Sequence, residues 1–228
     1  MMPTVDLAQT GLRDLNAALH RLPADTNETR WRVLNPRGQH AIAVGVDAPI
    51  MIEVEGHVGY YCGGMNKEAA ITINGHAGTG VGENMMSGWV RVAGNASQSA
   101  GASARGGMLI IDGDASARCG ISMKGIDIVV GGSVGHMSCF MGQAGALVVC
   151  GDADHDLGDS LYEAEIFVAG KVASLGADCV EKAMEAAHRE KVASLLECAK
   201  IKGDPRHFRR YGSARQLYNF HIDHAGQY

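Results

Sequence analysis

Several groups of residues in this sequence have types and spacings that could do chemistry. The segment "GHAGTGVG", residues 75–82, follows a short apolar run. A strand leading into a glycine-rich loop is one way to cradle phosphate. A phosphate loop also needs Gly-Lys-Ser/Thr, and a dinucleotide fold needs a helix after the glycines. The first is absent, and "ENMMSGWVRV" returns to a strand pattern within a few residues. His57 and His76 stand at equivalent spacing to His136 and His155, and each pair would supply half of a metal site, but no third ligand accompanies either. Asp114 and Asp152 are candidates for an acid–base pair of the kind that cleaves glycosides. Arg105 and Lys124 could hold an anion or a partner's carboxylate. The six cysteines (Cys62, Cys119, Cys139, Cys150, Cys179 and Cys198) contain no C-x-x-C, so zinc-ribbon and ferredoxin spacings are missing and buried structural thiols are expected.

The elements that would position these groups come from one repeat. The runs "IEVEGHV", "ITINGHA", "VRVAGNA", "LIIDGDA", "IVVGGSV", "LVVCGDA" and "IFVAGKV" share glycines at Gly56, Gly75, Gly94, Gly113, Gly132, Gly151 and Gly170, and every interval is 19 residues. Four before each shared glycine stand Ile52, Ile71, Val90, Leu109, Ile128, Leu147 and Ile166. Two before it stand Val54, Ile73, Val92, Ile111, Val130, Val149 and Val168, and two after it Val58, Ala77, Ala96, Ala115, Val134, Ala153 and Val172. Period-two alternation predicts strands with one face buried. A second glycine falls seven after the first at Gly63, Gly82, Gly101, Gly120 and Gly158, with Cys139 and Ala177 breaking the column. A recurrent glycine there predicts a turn with positive φ or a close backbone approach.

One such unit cannot bury its own apolar face, whereas stacked units can. The expected fold is therefore an all-β solenoid, a β-helix of about seven 19-residue coils. Two coils separate Asp114 from Asp152, ~10 Å at the usual strand spacing, too wide for a retaining carboxylate pair. The expected domains are an N-terminal helix and short strand over residues 1–49, the β-helix over 50–178, and a C-terminal helix with a basic, aromatic tail over 179–228. Leu12, Leu15, Leu19 and Leu22 stand at helical spacing, residues 31–34 read as a strand, and residues 179–201 read as one helix with Asp178 as N-cap and Gly203 as stop. Helical caps are expected at both open ends of the coils.

Composition bounds the function. The 228 residues carry a formal charge of -5, which argues against a nucleic-acid binder. There is no apolar signal core and no 18-residue apolar run, so a cytoplasmic protein away from membranes is expected. The 31 glycines are roughly double the usual share, about 7%. Two surfaces suit a protein partner. Three before each shared glycine, the outward position is polar in early coils (Glu53, Thr72, Arg91) and apolar in later ones (Ile110, Val129, Val148, Phe167). Such a stripe must be covered by a terminal helix or another subunit. The tail adds Arg206, Arg209, Arg210, Tyr211, Arg215, Tyr218 and Phe220, residue types favoured as interface anchors.

At "GTGVGENMMSGWVRVAG", "GASARGGMLIIDGDA" and "GISMKGIDIVVGGSVGHM" the chain resembles the GXGXG domain at the C-terminal end of the glutamate synthase large subunit, over residues 50–178. The resemblance implies a right-handed β-helix, a structural role, no cofactor and no catalytic residue on this chain. With the tail "SARQLYNFHIDHAGQY", it is most similar to the stand-alone β-helix subunit of N-methylglutamate synthases, enzymes that make N-methylglutamate and ammonia from methylamine and glutamate. The implied partners are an amidotransferase-like chain and a synthase chain that carries FMN and an iron–sulfur cluster. The C subunit of formylmethanofuran dehydrogenase shares the coils and stands as an alternative. A carbohydrate-active β-helix enzyme is a further one, lacking converging carboxylates here.

Overall fold

The computed structural model describes residues 2–27 and 29–216. The aliphatic columns pair as the repeat requires. Ile52 lies opposite Ile71, Ile71 opposite Val90, and the ladder continues through Leu109, Ile128 and Leu147 to Ile166. A second ladder joins Val58, Ala77, Ala96, Ala115, Val134, Ala153 and Val172. Both sets of side chains point into one buried core. The small alanines let the two walls approach while the branched aliphatics fill the width between them.

The elements run β1 (Thr4–Asp6), α1 (Leu12–His20), β2 (Arg30–Leu34), β3 (Met51–Glu55), β4 (Ala70–Ile73), β5 (Trp89–Val92), β6 (Met108–Ile111), β7 (Lys124–Val130), β8 (Ala144–Val149), β9 (Glu165–Val168), β10 (Cys179–Lys182), α2 (Ala186–Ala199) and β11 (Arg209–Ser213). They form one sheet ordered β1 through β9, then β11, then β10. The strands from β1 to β9 are parallel, wound as a solenoid of about seven turns. The coiling starts before residue 50. Trp31 and Val33 of β2 pair with Ile52 and Val54, an interval of 21 rather than 19, which hid this coil from a fixed-period reading.

Each coil turns one corner on alternate left-handed residues. Tyr61, Gly63 and Met65 take φ of 61°, 65° and 54°. Their N–H groups reach alternately to the next coil (Thr79 and Glu83 carbonyls) and to the preceding one (Ile42). Cys139 keeps the shape of the glycines it replaces, at φ 60°. Around Ala177 the register changes: Leu157 pairs with Leu175, one residue short, and the left-handed residue is Asp178 at φ 62°.

The ends differ from expectation in one respect. Helix α1 does cap the N-terminal opening, with Leu15 and Leu19 in the solenoid core. The C-terminal helix does not cap its end, and it does not begin at residue 179. Residues 179–182 are a strand, because β11 returns antiparallel between β9 and β10 and supplies a non-local partner. Helix α2 starts after Glu185, whose carboxylate caps the N3 backbone, while His188 Nδ1 accepts the Glu185 N–H. It ends at Ala199, with Lys200 left-handed at φ 54°, ahead of Gly203.

Helix α2 lies on the outer face of the sheet. Val192, Leu195, Leu196 and Ala199, with Phe208, form a second core against Ile110, Val129, Val148 and Phe167. Glu165 fastens its other side by accepting from Lys191 and Arg210, both at 2.9 Å, with His188 at 3.6 Å. Burial alone would raise the Glu165 pKa, but the Lys191 hydrogen bond and the charges of Lys191, Arg210 and His188 outweigh it and hold the carboxyl below its usual range. Arg91 marks where the helix stops: its guanidinium grips Asp112 with two bonds and donates to the Ala199 carbonyl at 2.7 Å. That explains the outward column, polar up to Arg91 and apolar from Ile110 onward.

Candidate functional site

The groups that could do chemistry are used by the backbone. His57 and His76 stack at 4.9 Å between ring centroids. His57 Nδ1 accepts the His76 N–H at 2.9 Å, and His76 Nδ1 accepts the Asn95 N–H at 2.8 Å. The same device continues down the column. Asn95 accepts from Asp114, Asp114 from Ser133, Ser133 from Asp152 and Asp152 from Lys171. Each side chain one residue after a shared glycine thus ties its coil to the next. Asp114 and Asp152 are rungs of this ladder. His155 turns instead to Ser174 Oγ at 3.4 Å and to Asp154. Among the described residues no three His, Cys, Asp or Glu side chains gather as a metal site.

The neighbouring glycines make room for these rungs. A Cβ on Gly113 would stand 2.1 Å from Asn95 Oδ1, and one on Gly132 2.2 Å from Asp114 Oδ1. Asn95→Ala removes one acceptor from a solvated ladder and is expected to lower stability by about 1 kcal/mol. Asn95→Asp, which keeps an acceptor oxygen, should recover most of that loss; urea unfolding of both variants checks it.

The thiols are free, and four are buried. Burial pushes Cys62, Cys119 and Cys179 up to about 12 and Cys139 higher still. They are packing groups. Cys150 is half-buried and Cys198 exposed.

The two expected partner surfaces fare differently. Ile110, Val129, Val148 and Phe167 are not an open stripe, since α2 of the same chain buries them to 4% exposure or less. Tyr211 is likewise in the solenoid core, drawn there by β11 pairing with β9, and Arg210 is held by Glu165. Arg206, Arg209 and Arg215 remain exposed, facing Asp204, Glu181 and Glu163. Tyr218 and Phe220 lie outside the described residues.

What the repeat did not reveal is where apolar surface stays open. Met51, Tyr60, Tyr61, Met65, Met86 and Trp89 are all exposed by more than a third, and all belong to the early coils, outside the core that α2 covers. Tyr60 lies tilted against His40 at 4.4 Å and meets Tyr61 edge-on at 6.3 Å, so this corner presents pre-ordered aromatic rings. Beside it a shallow hollow is lined by Val44, Tyr61, Gly64, Met65, Glu83 and Asn84. Burial raises the Glu83 pKa. A larger apolar groove of about 580 Å³ opens where α2 ends, lined by Trp89, Arg91, Met108, Ile110, Cys198 and Lys200. The sequence signal was the column five before each shared glycine, where Met51, Trp89 and Met108 recur on the outward face.

No helix among the described residues is long and apolar enough to cross a membrane. No protein-family model matches the chain, and no solved structure matches it. It is 59% identical over all 228 residues to Protein GlxC of Rhizobium meliloti (strain 1021), a match that covers both proteins from end to end.

Proposed function

The chain belongs to the family of Protein GlxC, and from that premise we propose that it is a non-catalytic scaffold subunit of a glutamate-synthase-like enzyme. The complex we have in mind is an N-methylglutamate synthase, converting methylamine and glutamate to N-methylglutamate and ammonia. In it this chain bridges an amidotransferase-like subunit and a synthase subunit that carries FMN and an iron–sulfur cluster. The observation that carries the reading is the placement of exposed Tyr60, Tyr61, Met65 and Met86 together on the early coils. Tyr and Met are enriched at interfaces, and rings already held by neighbouring rings lose little entropy on docking. A stiff solenoid is suited to hold two catalytic chains at a set distance, which matters when an amine formed at one site is consumed at another.

The test is recovery of the complex from native cells through a tag on this chain. An amidotransferase-like chain and a yellow, flavin-bearing chain should co-elute. An isolated chain that eluted alone and turned over substrate would end the proposal. Tyr61→Asp with Met65→Asp should weaken that association at least tenfold, a loss of about 1.4 kcal/mol, while unfolding of the isolated chain stays unchanged. Unaltered association would remove this corner from the interface.

A further inference from the structure

The exposed corner of the early coils holds a carboxylate as well as rings. Tyr61 N–H donates to the Thr79 carbonyl at 2.9 Å, Met65 N–H to the Glu83 carbonyl at 2.8 Å, and Glu83 N–H to the Gly80 carbonyl at 3.1 Å. These bonds set Tyr61 and Met65 of one coil against Glu83 of the next. A Cβ on Gly80 would lie 2.7 Å from both Glu83 Oε2 and Tyr61 Cδ1, so the carboxylate and the ring meet over that glycine. Val44, Gly64 and Asn84 complete a hollow of about 150 Å³ around them. We propose that an arginine side chain of a partner chain fills this hollow, its guanidinium paired with Glu83 and laid on the Tyr61 ring, its stem against Val44 and Met65.

Charge supports it. Among the described residues Glu83 makes no salt bridge, and Lys67, two residues beyond Met65, is already paired with Asp47 at 2.6 Å. Burial pushes the Glu83 carboxyl up, and no neighbouring cation pulls it back. A half-buried carboxylate in that condition gains from a cation brought to it. The walls decide which cation. A guanidinium is flat and weakly hydrated, so it can cover an aromatic face and bind a carboxylate together, whereas an ammonium is compact and strongly hydrated. The apolar stem of arginine suits the Met65 and Val44 walls. The segment after Gln216 has no Lys or Arg, so the chain's own C-terminus does not supply the group. The arginine site rests on the reading that the early coils dock a partner chain, and it names the group they receive.

Met65 reports on the hollow without any partner. In the isolated chain with methyl-labelled methionine, its resonance is identified by Met65→Leu and followed by NMR. Acetyl-arginine amide is the probe, beside the lysine and glutamine amides. We expect a saturable Met65 shift with the arginine amide, and binding about fivefold weaker with the lysine amide. Glu83→Gln, which keeps the side chain's shape and should leave urea unfolding unchanged, is expected to abolish the shift, and Tyr61→Leu to weaken it. No shift, equal shifts with the three amides, or a shift retained in Glu83→Gln would overturn the proposal.

The second measurement uses the tagged complex. Glu83→Gln should weaken association about tenfold, as removal of one member of a desolvated charge pair does. Phenylglyoxal, which modifies arginine, should label a partner arginine in that sample that the wild-type complex protects. Association unchanged by Glu83→Gln would overturn the arginine site and leave the scaffold reading standing. Failure of the wild-type chain to recover either catalytic chain would end the scaffold reading, and the Met65 shifts would then decide the hollow by themselves. Self-association that grows with concentration and is lost in Glu83→Gln would assign the hollow to a second copy and overturn the proposal.

Discussion

Phe167→Ala is expected to lower the stability of the isolated chain by about 3–5 kcal/mol, the usual cost of emptying a fully buried aromatic site. Phe167 has no exposed surface and packs beneath Val192, Leu195, Leu196 and Phe208. It also stands opposite Val148 in β8 and Arg210 in β11, so the cavity would open at the junction of helix, parallel sheet and returning strand. Urea unfolding of the purified chain is the measurement. Hydrogen exchange should show α2 opening first, because a helix held by one face can leave before the coils separate. A change below about 0.5 kcal/mol, the range of ordinary surface substitutions, would mean that Phe167 awaits a partner after all. Tyr61→Ala serves as the contrast: at 48% exposure it should fall within that surface range.

The contrast matters because the two residues divide the solenoid. From β6 onward the chain covers its own outer face with α2, and the boundary is Arg91, which closes the last turn of the helix through the Ala199 carbonyl. Before that boundary the outward positions Glu53 and Thr72 face solvent, and exposed rings and methionines cluster at the adjacent corner. Apolar surface left open beside apolar surface that is sealed points to selective use of one half of the molecule. Had the stripe from Ile110 to Phe167 been the docking face, the early coils would need no such cluster.

How far the sequence revealed this depends on range. The parallel ladder was legible residue by residue, since a stacked coil repeats one local pattern and Ile71 must meet Val90 if Ile52 meets Ile71. The need to cover the later stripe was legible from Ile110, Val129, Val148 and Phe167, but not which segment covers it. Residues 179–182 escaped because Cys-Val-Glu-Lys reads smoothly into the helix that follows, and the strand that claims them lies some thirty residues on. Arg210 and Tyr211 escaped for the same reason: their types suit an interface, and only the antiparallel return of β11 puts Tyr211 in the solenoid core and sets Arg210 on the opposite face against Glu165. The coil at β2 was hidden by two extra residues in its period. Roles for His57, Asn95 and Asp114 as backbone acceptors could have been read from the shared glycine beside each, had the lack of a Cβ been taken as space for a neighbour's oxygen.

That last point carries the other large effect. The two glycine columns serve different needs, and substitution separates them. Gly75 has no left-handed φ, yet a Cβ there would lie 2.5 Å from the Gly56 carbonyl carbon and 2.8 Å from the His57 nitrogen, both backbone atoms of the preceding coil. Backbone in a ladder cannot step aside as a side chain can, so Gly75→Ala must spread β3 from β4. The expected cost is about 3 kcal/mol, the upper end for overpacking. Gly38 is the control: its φ is +72° with nothing within 4 Å of a new Cβ, so Gly38→Ala incurs only the left-handed penalty, about 1 kcal/mol. Because each coil touches only its neighbours, the damage should also be directional. Trp31 lies in β2 on one side of the Gly75 break and Trp89 in β5 on the other. Single-tryptophan chains should unfold at one denaturant concentration in the wild-type background. In the Gly75→Ala background the Trp31 reporter should unfold first. Coincident transitions at an unchanged midpoint would show that the coils tolerate a methyl group between them, and close stacking at this column would then not be what the glycine secures.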